Sequence, residues 1–532
     1  MKIIVINEKK EFLFFSFAEE NNSMKKLPIL MMIFLSSLLF SQSQDLYALA
    51  KGDYLGFNAV FDQKDNLFGY VSIYSYGKSS DKTKKFEYVI LDKNLNPIAN
   101  KEFEGDITAG NYFGYMDFRG NIILRPSSLD REFVTNKTVF TPASMIIDLK
   151  DNSVKRKIYY DYDNGNFKEI TEPKSWKSAK KENKEEKKAK GYNYISYVVE
   201  NKEGGYIAVE YNDYGNYVNQ NSLIKFDEDK KEIWRYKYNE SGNKKQGEEI
   251  SLIDKDEKHL FFLVKKTAEK NKQYFLLVLD TKTGEEVSMK KIDVLNNETL
   301  DYITSLYSYS FGNIDNDKII DDKIVMLGNH ITNNFRKIGY TRLMINKKSF
   351  ETNVQDLDHL DLTVEIPKIK ENGMVESGYF LEPRDAFFLK DGSVGILMEK
   401  YKPEGEYSAP KTTDLVYVFT DKDFKKKGVK IFEKEKSKWS NSDYLFSQYL
   451  NDGKDVVFFY RDYVKDSETK EKNWNLYINT LIDGNFKQEV VPISAKDDFV
   501  VAPYVGKEGY ILLREFNKKE KYNKIRLERL NY

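Results

Sequence analysis

The sequence predicts an all-β fold built from repeated antiparallel units, and three observations carry that prediction. A run of β-forming residues followed, after a polar gap, by a second run ending in a charged turn recurs eight times. Polar turns such as Lys390-Asp391-Gly392-Ser393 and Asn451-Asp452-Gly453-Lys454 separate apolar runs, and Asp-Gly between such runs is a strong hairpin signal because Gly accepts a positive φ. Beyond residue 45, no segment other than one charged insertion shows the 3.6-residue periodicity of an amphipathic helix.

Taken in order, the copies begin near Leu67, Ile122, Tyr206, Leu260, Ile324, Val394, Val456 and Tyr510. Apart from one longer step, the spacing is roughly 55 to 70 residues, the size of a four-stranded unit with long loops. A strand upstream of the first run completes the unit, at 55–61, 112–118, 250–253, 386–389 and 444–450 in five of the copies. Each unit therefore reads as an antiparallel meander. The runs at 275–279, 415–419 and 456–459 are continuously apolar, as in strands covered on both faces. Sheets packed radially, face against face, cover both sides without helices, which makes the fold a β-propeller of eight four-stranded blades. Seven blades result if copy five, with weak strands at 323–328 and 341–345, is split. The last copy has only three strands, at 499–505, 510–516 and 524–530. A strand near 46–49 is expected to supply the fourth and close the ring through the termini.

At 532 residues the chain exceeds the size at which one compact core stops growing, yet it carries no Pro/Gly/Ser linker. A propeller accommodates this by adding blades, so residues 44–532 are read as one domain. Aromatic residues, including 38 Tyr and 35 Phe, suit strand surfaces, and most are expected in blade cores.

Met24-Lys25-Lys26 is a basic start, residues 27–40 are apolar, and Ser41-Gln42-Ser43 offers small residues for cleavage. Residues 24–43 are thus read as a signal peptide, with Met24 as the initiator and residues 1–23 as an upstream misassignment. No later stretch is apolar and long enough to span a bilayer, and the mature protein is expected outside the cytoplasm, periplasmic or extracellular. The absence of Cys excludes disulfides and a lipidated N-terminal Cys.

Lys plus Arg and Asp plus Glu number 84 each and are interspersed, which gives no footprint for nucleic acid. The one biased run, 172–190, holds eight Lys against four Glu and reads as a solvated insertion. The three histidines are His259, His330 and His359. In Asp356-Leu357-Asp358-His359-Leu360-Asp361, alternation puts Asp356 and Asp358 on one side of an extended segment, the nearest approach to a metal constellation; a solvated acidic loop is the default reading. Asn313-Ile314-Asp315-Asn316-Asp317 opens like a calcium loop, but Lys318 stands where Gly is needed and Ile324 where a bidentate Glu is needed. No Gly-x-Ser-x-Gly elbow, Cys nucleophile, Walker motif or dinucleotide glycine fingerprint occurs. The sequence nominates no catalytic residue, no metal ligand and no cofactor.

The unit Gly204-Gly205-Tyr206-Ile207-Ala208-Val209, Leu223-Ile224-Lys225-Phe226-Asp227, Glu232-Ile233-Trp234 resembles the repeat of secreted bacterial β-propellers of the kind common in Bacteroidota. Leu279-Asp280-Thr281-Lys282-Thr283-Gly284-Glu285 is similar to the strand-turn of quinoprotein-like repeats, although Val287 departs from the tryptophan of that pattern. The resemblance implies the fold and carries no activity. The expectation is a non-catalytic binding or scaffold protein, a monomer that recognises a protein, peptide or glycan through the central channel or through loops such as 77–84, 401–413 and 462–471. The alternative is a carbohydrate-active hydrolase or lyase with acids gathered at the channel mouth.

Overall fold

The computed structural model describes Ile4–Ile6, Phe12–Phe14 and residues 43–532 apart from 63–65, 82, 108, 118–119, 127–143, 160–166, 169–193, 201–205, 212–220, 228–230, 239–245, 269–270, 293–316, 321, 333–335, 404–409, 438–441, 494–498 and 518. Of the stretch 24–43 read as a signal peptide, residues 24–42 lie outside the described residues, as does the insertion at 172–190. Two compact units are present, Met1–Ser43 and Gln44–Tyr532. In the first, Ile4–Ile6 and Phe12–Phe14 pair antiparallel.

The second unit is a series of antiparallel sheets. Blade one consists of Asp53–Phe61, Leu67–Lys78, Thr83–Asp92 and Pro97–Asp106, and blade two of Tyr112–Met116, Ile122–Pro126, Ser144–Asp148, Ser153–Tyr159 and the short Phe167–Lys168. Blade three is Tyr194–Glu200, Tyr206–Tyr211, Asn221–Phe226 and Glu232–Tyr238, and blade four Gln246–Lys255, His259–Ala268, Asn271–Asp280 and Glu286–Ile292. Blade five is Asp317–Ile320, Lys323–Ile331, Lys337–Asn346 and Thr352–Asp358, and blade six Phe380–Phe388, Val394–Lys402, Lys411–Thr420 and Lys426–Phe432. Blade seven is Tyr444–Leu450, Asp455–Lys465, Lys472–Ile482 and Asn485–Pro492; blade eight is Val500–Val505, Tyr510–Asn517 and Tyr522–Arg529, completed by Ser43–Asp45.

All eight copies are blades, and copy five is whole, so the count is eight. Two expectations are corrected. The closing strand is Ser43–Asp45 rather than 46–49, because the chain turns directly after it: the Ala48 N–H donates back to the Asp45 carbonyl at 3.0 Å, while Leu46 still donates to the Asn523 carbonyl of the neighbouring strand at 2.8 Å and is fully buried. Blade two also carries a fifth, two-residue edge strand.

Strand alternation shows how the sheets cover one another. In blade four, Leu260, Phe262 and Val264 pack against Ile207 and Leu223 of blade three, while Phe261 and Leu263 pack against Ile324 and Met326 of blade five. The same relation joins blades five and six, six and seven, seven and eight, and one and two. Blade eight meets blade one through Leu512, Ile525, Leu527, Tyr70 and Leu91, which brings the far ends of the unit together. The chain is an eight-bladed β-propeller. Each fully buried Leu, Ile or Phe contributes about 1.5–3 kcal/mol, so these interblade faces are the main source of stability.

One interblade contact accounts for a repeat feature. Trp234 of blade three donates from Nε1 to the Thr281 carbonyl in blade four's last turn at 3.2 Å, and Lys225 Nζ reaches the same oxygen at 2.9 Å. Gly284 in that turn has φ +73°, and a Cβ there would lie 2.5 Å from the indole. Backbone sign and close approach both require glycine.

Candidate functional site: the connector face over blades five to seven

The meander sends the two kinds of connection to opposite ends of the ring. Turns between first and second strands, and between third and fourth, share one face and are short. Loops between second and third strands share the other face with the blade-to-blade connectors. The first strands of blades one and two touch, as do those of seven and eight, so first strands form the inner edge.

The short-turn face is shaped by one repeated device. Asp62, Asp92, Asp117, Asp227 and Asp421 each accept the backbone N–H of the residue four further on, at 2.8–2.9 Å. Such side-chain turns satisfy backbone groups locally. The N–H groups of Lys425 and Asp423 hold the Asp421 carboxyl below the usual carboxylate range.

The connector face is different in kind. Between blades five and six the chain folds into two short 3-10 turns, His359–Leu362 and Glu376–Gly378, and buries Leu362, Ile366, Ile369, Val375 and Tyr379 in the cluster those blades share. Lys400 of blade six ties this connector down, with Glu376 at 2.6 Å and Asp414 at 2.9 Å. The Lys400 hydrogen bond pulls the Glu376 carboxyl below its ordinary range. Burial opposes the charge on Lys400, but the two carboxylates outweigh it and raise the ammonium pKa.

Next to it lies a sealed ionic group. Glu399 is fully buried; Arg384 Nε bonds one of its oxygens at 2.9 Å, and the Asp443 N–H donates to the other at 3.2 Å. Lys434, also sealed from solvent, sits 2.6 Å from Asp443 and 3.5 Å from Glu399. The Asp462 carboxylate accepts the Glu435 N–H at 3.2 Å and the Tyr463 N–H at 2.7 Å, and burial pushes its pKa up. Removing one partner of such a buried pair costs roughly 3–5 kcal/mol, because the other charge is left stranded. On the first strands, Asp385 of blade six accepts from Ala386 N–H at 2.8 Å and from the Tyr444 and Ser447 hydroxyls of blade seven. Burial, followed by the Asp385 charge, raises the Tyr444 hydroxyl well above its usual range.

Above this platform stands the long second-to-third hairpin of blade seven. Arg461 lies over the Trp474 ring at 5.5 Å, Lys472 over Tyr463 at 3.9 Å, and Tyr463 and Trp474 meet edge to face at 5.1 Å. The tip is closed by Asp466, which accepts the N–H groups of Glu468 and Thr469 at 2.8 and 2.7 Å. The strand ends that bound the three loops singled out in sequence, Lys78 and Thr83, Lys402 and Lys411, and Lys465 and Lys472, lie on this face and shorten each loop; residues 82 and 404–409 lie outside the described residues.

The histidines separate. His330 Nδ1 meets Asp358 at 2.8 Å and its Nε2 is 3.8 Å from Asp356, so the two aspartates do share a side. His359 turns away into the core, donating from Nδ1 to the Glu371 carbonyl at 2.9 Å with its ring edge-on to Tyr340. His259 lies on the short-turn face against Phe261 and Phe350. Among the described residues, no three His, Asp or Glu side chains are grouped to hold a metal ion. Residues 313–316 of the calcium-like segment lie outside the described residues; Lys318 pairs with Val325 and Ile319 with Ile324, so the chain runs on as a hairpin and not as a ligand loop.

The sequence matches no protein-family model and no curated protein. Among solved structures it is similar to the β-propeller domain of the Trilobed protease from Pyrococcus furiosus, at 11% identity over 82% of this chain and 94% of that chain, with a TM-score of 0.29. It is also similar to Chaetomium thermophilum Sqt1 bound to the N-terminus of the ribosomal protein L10, at 9% identity over 91% and 98%, TM-score 0.32. The WD40 domain of SCAP from fission yeast aligns at 9% identity over 77% and 89%, TM-score 0.23. At these scores the fold assignment rests on the strand pairing and the interblade clusters.

Sequence reasoning missed the ionic group because its members come from four separate runs. One signal was present: Glu399 directly follows the apolar run 394–398, so an alternating strand must bury it or its neighbour.

Proposed function

We propose that this protein is an exported, non-catalytic binding scaffold that holds a protein or peptide partner on its connector face over blades six and seven. The observation that carries the reading is the blade-seven hairpin, where Trp474, Arg461 and Lys472 stand together over the buried Tyr463 on an ion-paired base. Trp, Tyr and Arg supply most hot spots at protein interfaces, and a preorganised base lowers the entropy cost of binding. Two carboxylates at this face, Glu399 and Asp443, have side-chain exposures of 0% and 3% and share Lys434. They brace the connector and are closed to a substrate. Export is supported by the basic, apolar and small-residue order of residues 24–43. Among the described residues, no helix is long and apolar enough to cross a membrane.

The test compares affinity capture from cell-envelope extracts by wild type, Trp474→Ala and Lys454→Ala, the last being an exposed position on the opposite face. A partner retained by wild type and Lys454→Ala and lost by Trp474→Ala is expected. Equal retention by all three, or equal loss from both variants, refutes the assignment of the face. N-terminal sequencing of the mature protein from fractionated cells is expected to begin at or near Gln44, outside the cytoplasm.

A further inference from the structure

Blades diverge toward the circumference of the ring, and between the outer strands of blades six and seven the wedge opens into a cleft of about 340 Å³. Its walls include Phe432 and Glu433 from the end of blade six and Tyr477, Asn479, Phe486 and Gln488 from blade seven. The site is built from the outer wall of the propeller and does not rest on the connector-face reading.

Three features are independent of one another. The aromatic wall is rigid: Tyr477 stacks on Tyr460 at 4.9 Å with the rings 3° from parallel, and Phe432 meets Phe486 edge to face at 5.4 Å. The volume falls at the small end of the roughly 300–1,000 Å³ occupied by small-molecule sites, room for one substituted ring. Finally, Asn479 is fully buried and its Nδ2 has no hydrogen-bond partner, while its Oδ1 accepts from Gln488 Nε2 at 2.9 Å. A buried amide donor left unmade costs about 1–3 kcal/mol.

The amide pair narrows the chemistry of whatever completes it. Turning Asn479 alone would set donor against donor at Gln488; turning both amides restores their mutual bond and leaves an Asn479 oxygen open instead. A hydroxyl serves either arrangement, since it donates and accepts. Glu433 lines the same cleft and could accept from a second hydroxyl, and the tyrosine and phenylalanine wall offers a surface for the apolar face of a ring. Lys430 and Lys487 line the cleft together with Glu433, and Lys487 Nζ is turned to the Asn531 carbonyl at 2.8 Å, an arrangement that favours a neutral ligand over phosphate. We infer that the cleft between blades six and seven binds a neutral sugar ring, with a hydroxyl on the Asn479 amide and the ring against Tyr477.

Saturation-transfer NMR on the full chain tests this with free glucose, galactose and N-acetylglucosamine as probes, and with soluble glucan and mannan as a second arm. Transfer to the ring protons of a free sugar is expected if the ligand is a monosaccharide. Transfer only from a polymer identifies a residue of a longer chain. In either case Asn479→Leu, which removes the amide and leaves an apolar side chain of similar size, should weaken binding by about tenfold, the loss of one well-made hydrogen bond. Its melting temperature should hold or rise, showing that the fold is intact. Trp474→Ala should leave the sugar signal unchanged, separating this site from the connector face. No transfer from any probe, or binding undiminished in Asn479→Leu, overturns the inference and leaves water as the occupant of the cleft.

Discussion

Among single residues, His359 has the clearest physical signature. Its ring is 1% exposed, its Nδ1–H is committed to the Glu371 carbonyl, and its Nε2 has no partner. Gly373, at φ +75°, leaves room for it, since a Cβ there would lie 2.8 Å from the ring. Burial pushes the imidazole pKa from 6.5 down to about 4, with Lys337 lowering it further and the Glu371 bond acting against both. The unfolded chain therefore binds a proton between pH 6.5 and 4 that the folded chain refuses. Stability from this group is complete above pH 6.5 and is lost as pH falls toward 4, a difference of about 3 kcal/mol at most. Urea titrations of wild type and His359→Gln across that range provide the check. The wild-type midpoint should fall more steeply with acid than that of the variant; parallel curves would show that the buried ring does not resist protonation.

At the scale of elements, the second strands were the most legible part of the chain. The eight starts read from the sequence fall within one residue of the observed second strands, because each is a run covered on both faces and bounded by a turn. What escaped notice was structure made by backbone alone. Ser43–Asp45 and Phe167–Lys168 are edge strands whose hydrogen bonds require no particular side chain, and hydrophobic patterning is blind to them. The ionic group over blade six was hidden for a related reason: Arg384, Glu399, Lys434 and Asp443 look like ordinary surface charges until the strands bring them together. The element core offers its own test at Gly395, which lies diagonally across from Tyr417 in blade six. A Cβ at Gly395 would run into the Tyr417 hydroxyl, which is itself buried without a hydrogen-bond partner. Gly395→Ala should cost about 1–3 kcal/mol by overpacking. Tyr417→Phe removes the unsatisfied hydroxyl and should be neutral or stabilising by about 1 kcal/mol. Chemical denaturation of the two variants should show shifts of opposite sign or one of zero; a large loss in Tyr417→Phe would mean that the hydroxyl has a partner.

For the molecule as a whole, the decisive feature is that blade eight borrows its fourth strand from the other end of the propeller chain. Blades packed in series gain stability from each neighbouring interface, so a ring has one more interface than an open row, and the closing strand holds that extra one. Here it is secured by several contacts. Leu46 is fully buried, its N–H donates to the Asn523 carbonyl at 2.8 Å, and its carbonyl accepts the Tyr74 hydroxyl at 2.5 Å. Gln44 Nε2 reaches the Leu95 carbonyl at 3.0 Å, and Tyr70 donates to the Val505 carbonyl at 2.9 Å across the same seam. Burial of Leu46 alone is worth about 1.5–3 kcal/mol, and loss of the strand also exposes the edge of Tyr522–Arg529 to unwanted pairing. A protein beginning at Lys51 should accordingly melt several degrees lower than one beginning at Ser43. Its amide exchange should rise in Tyr522–Arg529 and in the first blade, while His259–Ala268 in blade four stays protected, because loss of one seam leaves the remaining interfaces intact. Uniform acceleration across all blades would mean that the ring unfolds as a single unit, and no change at all would show that the seam holds without its closing strand.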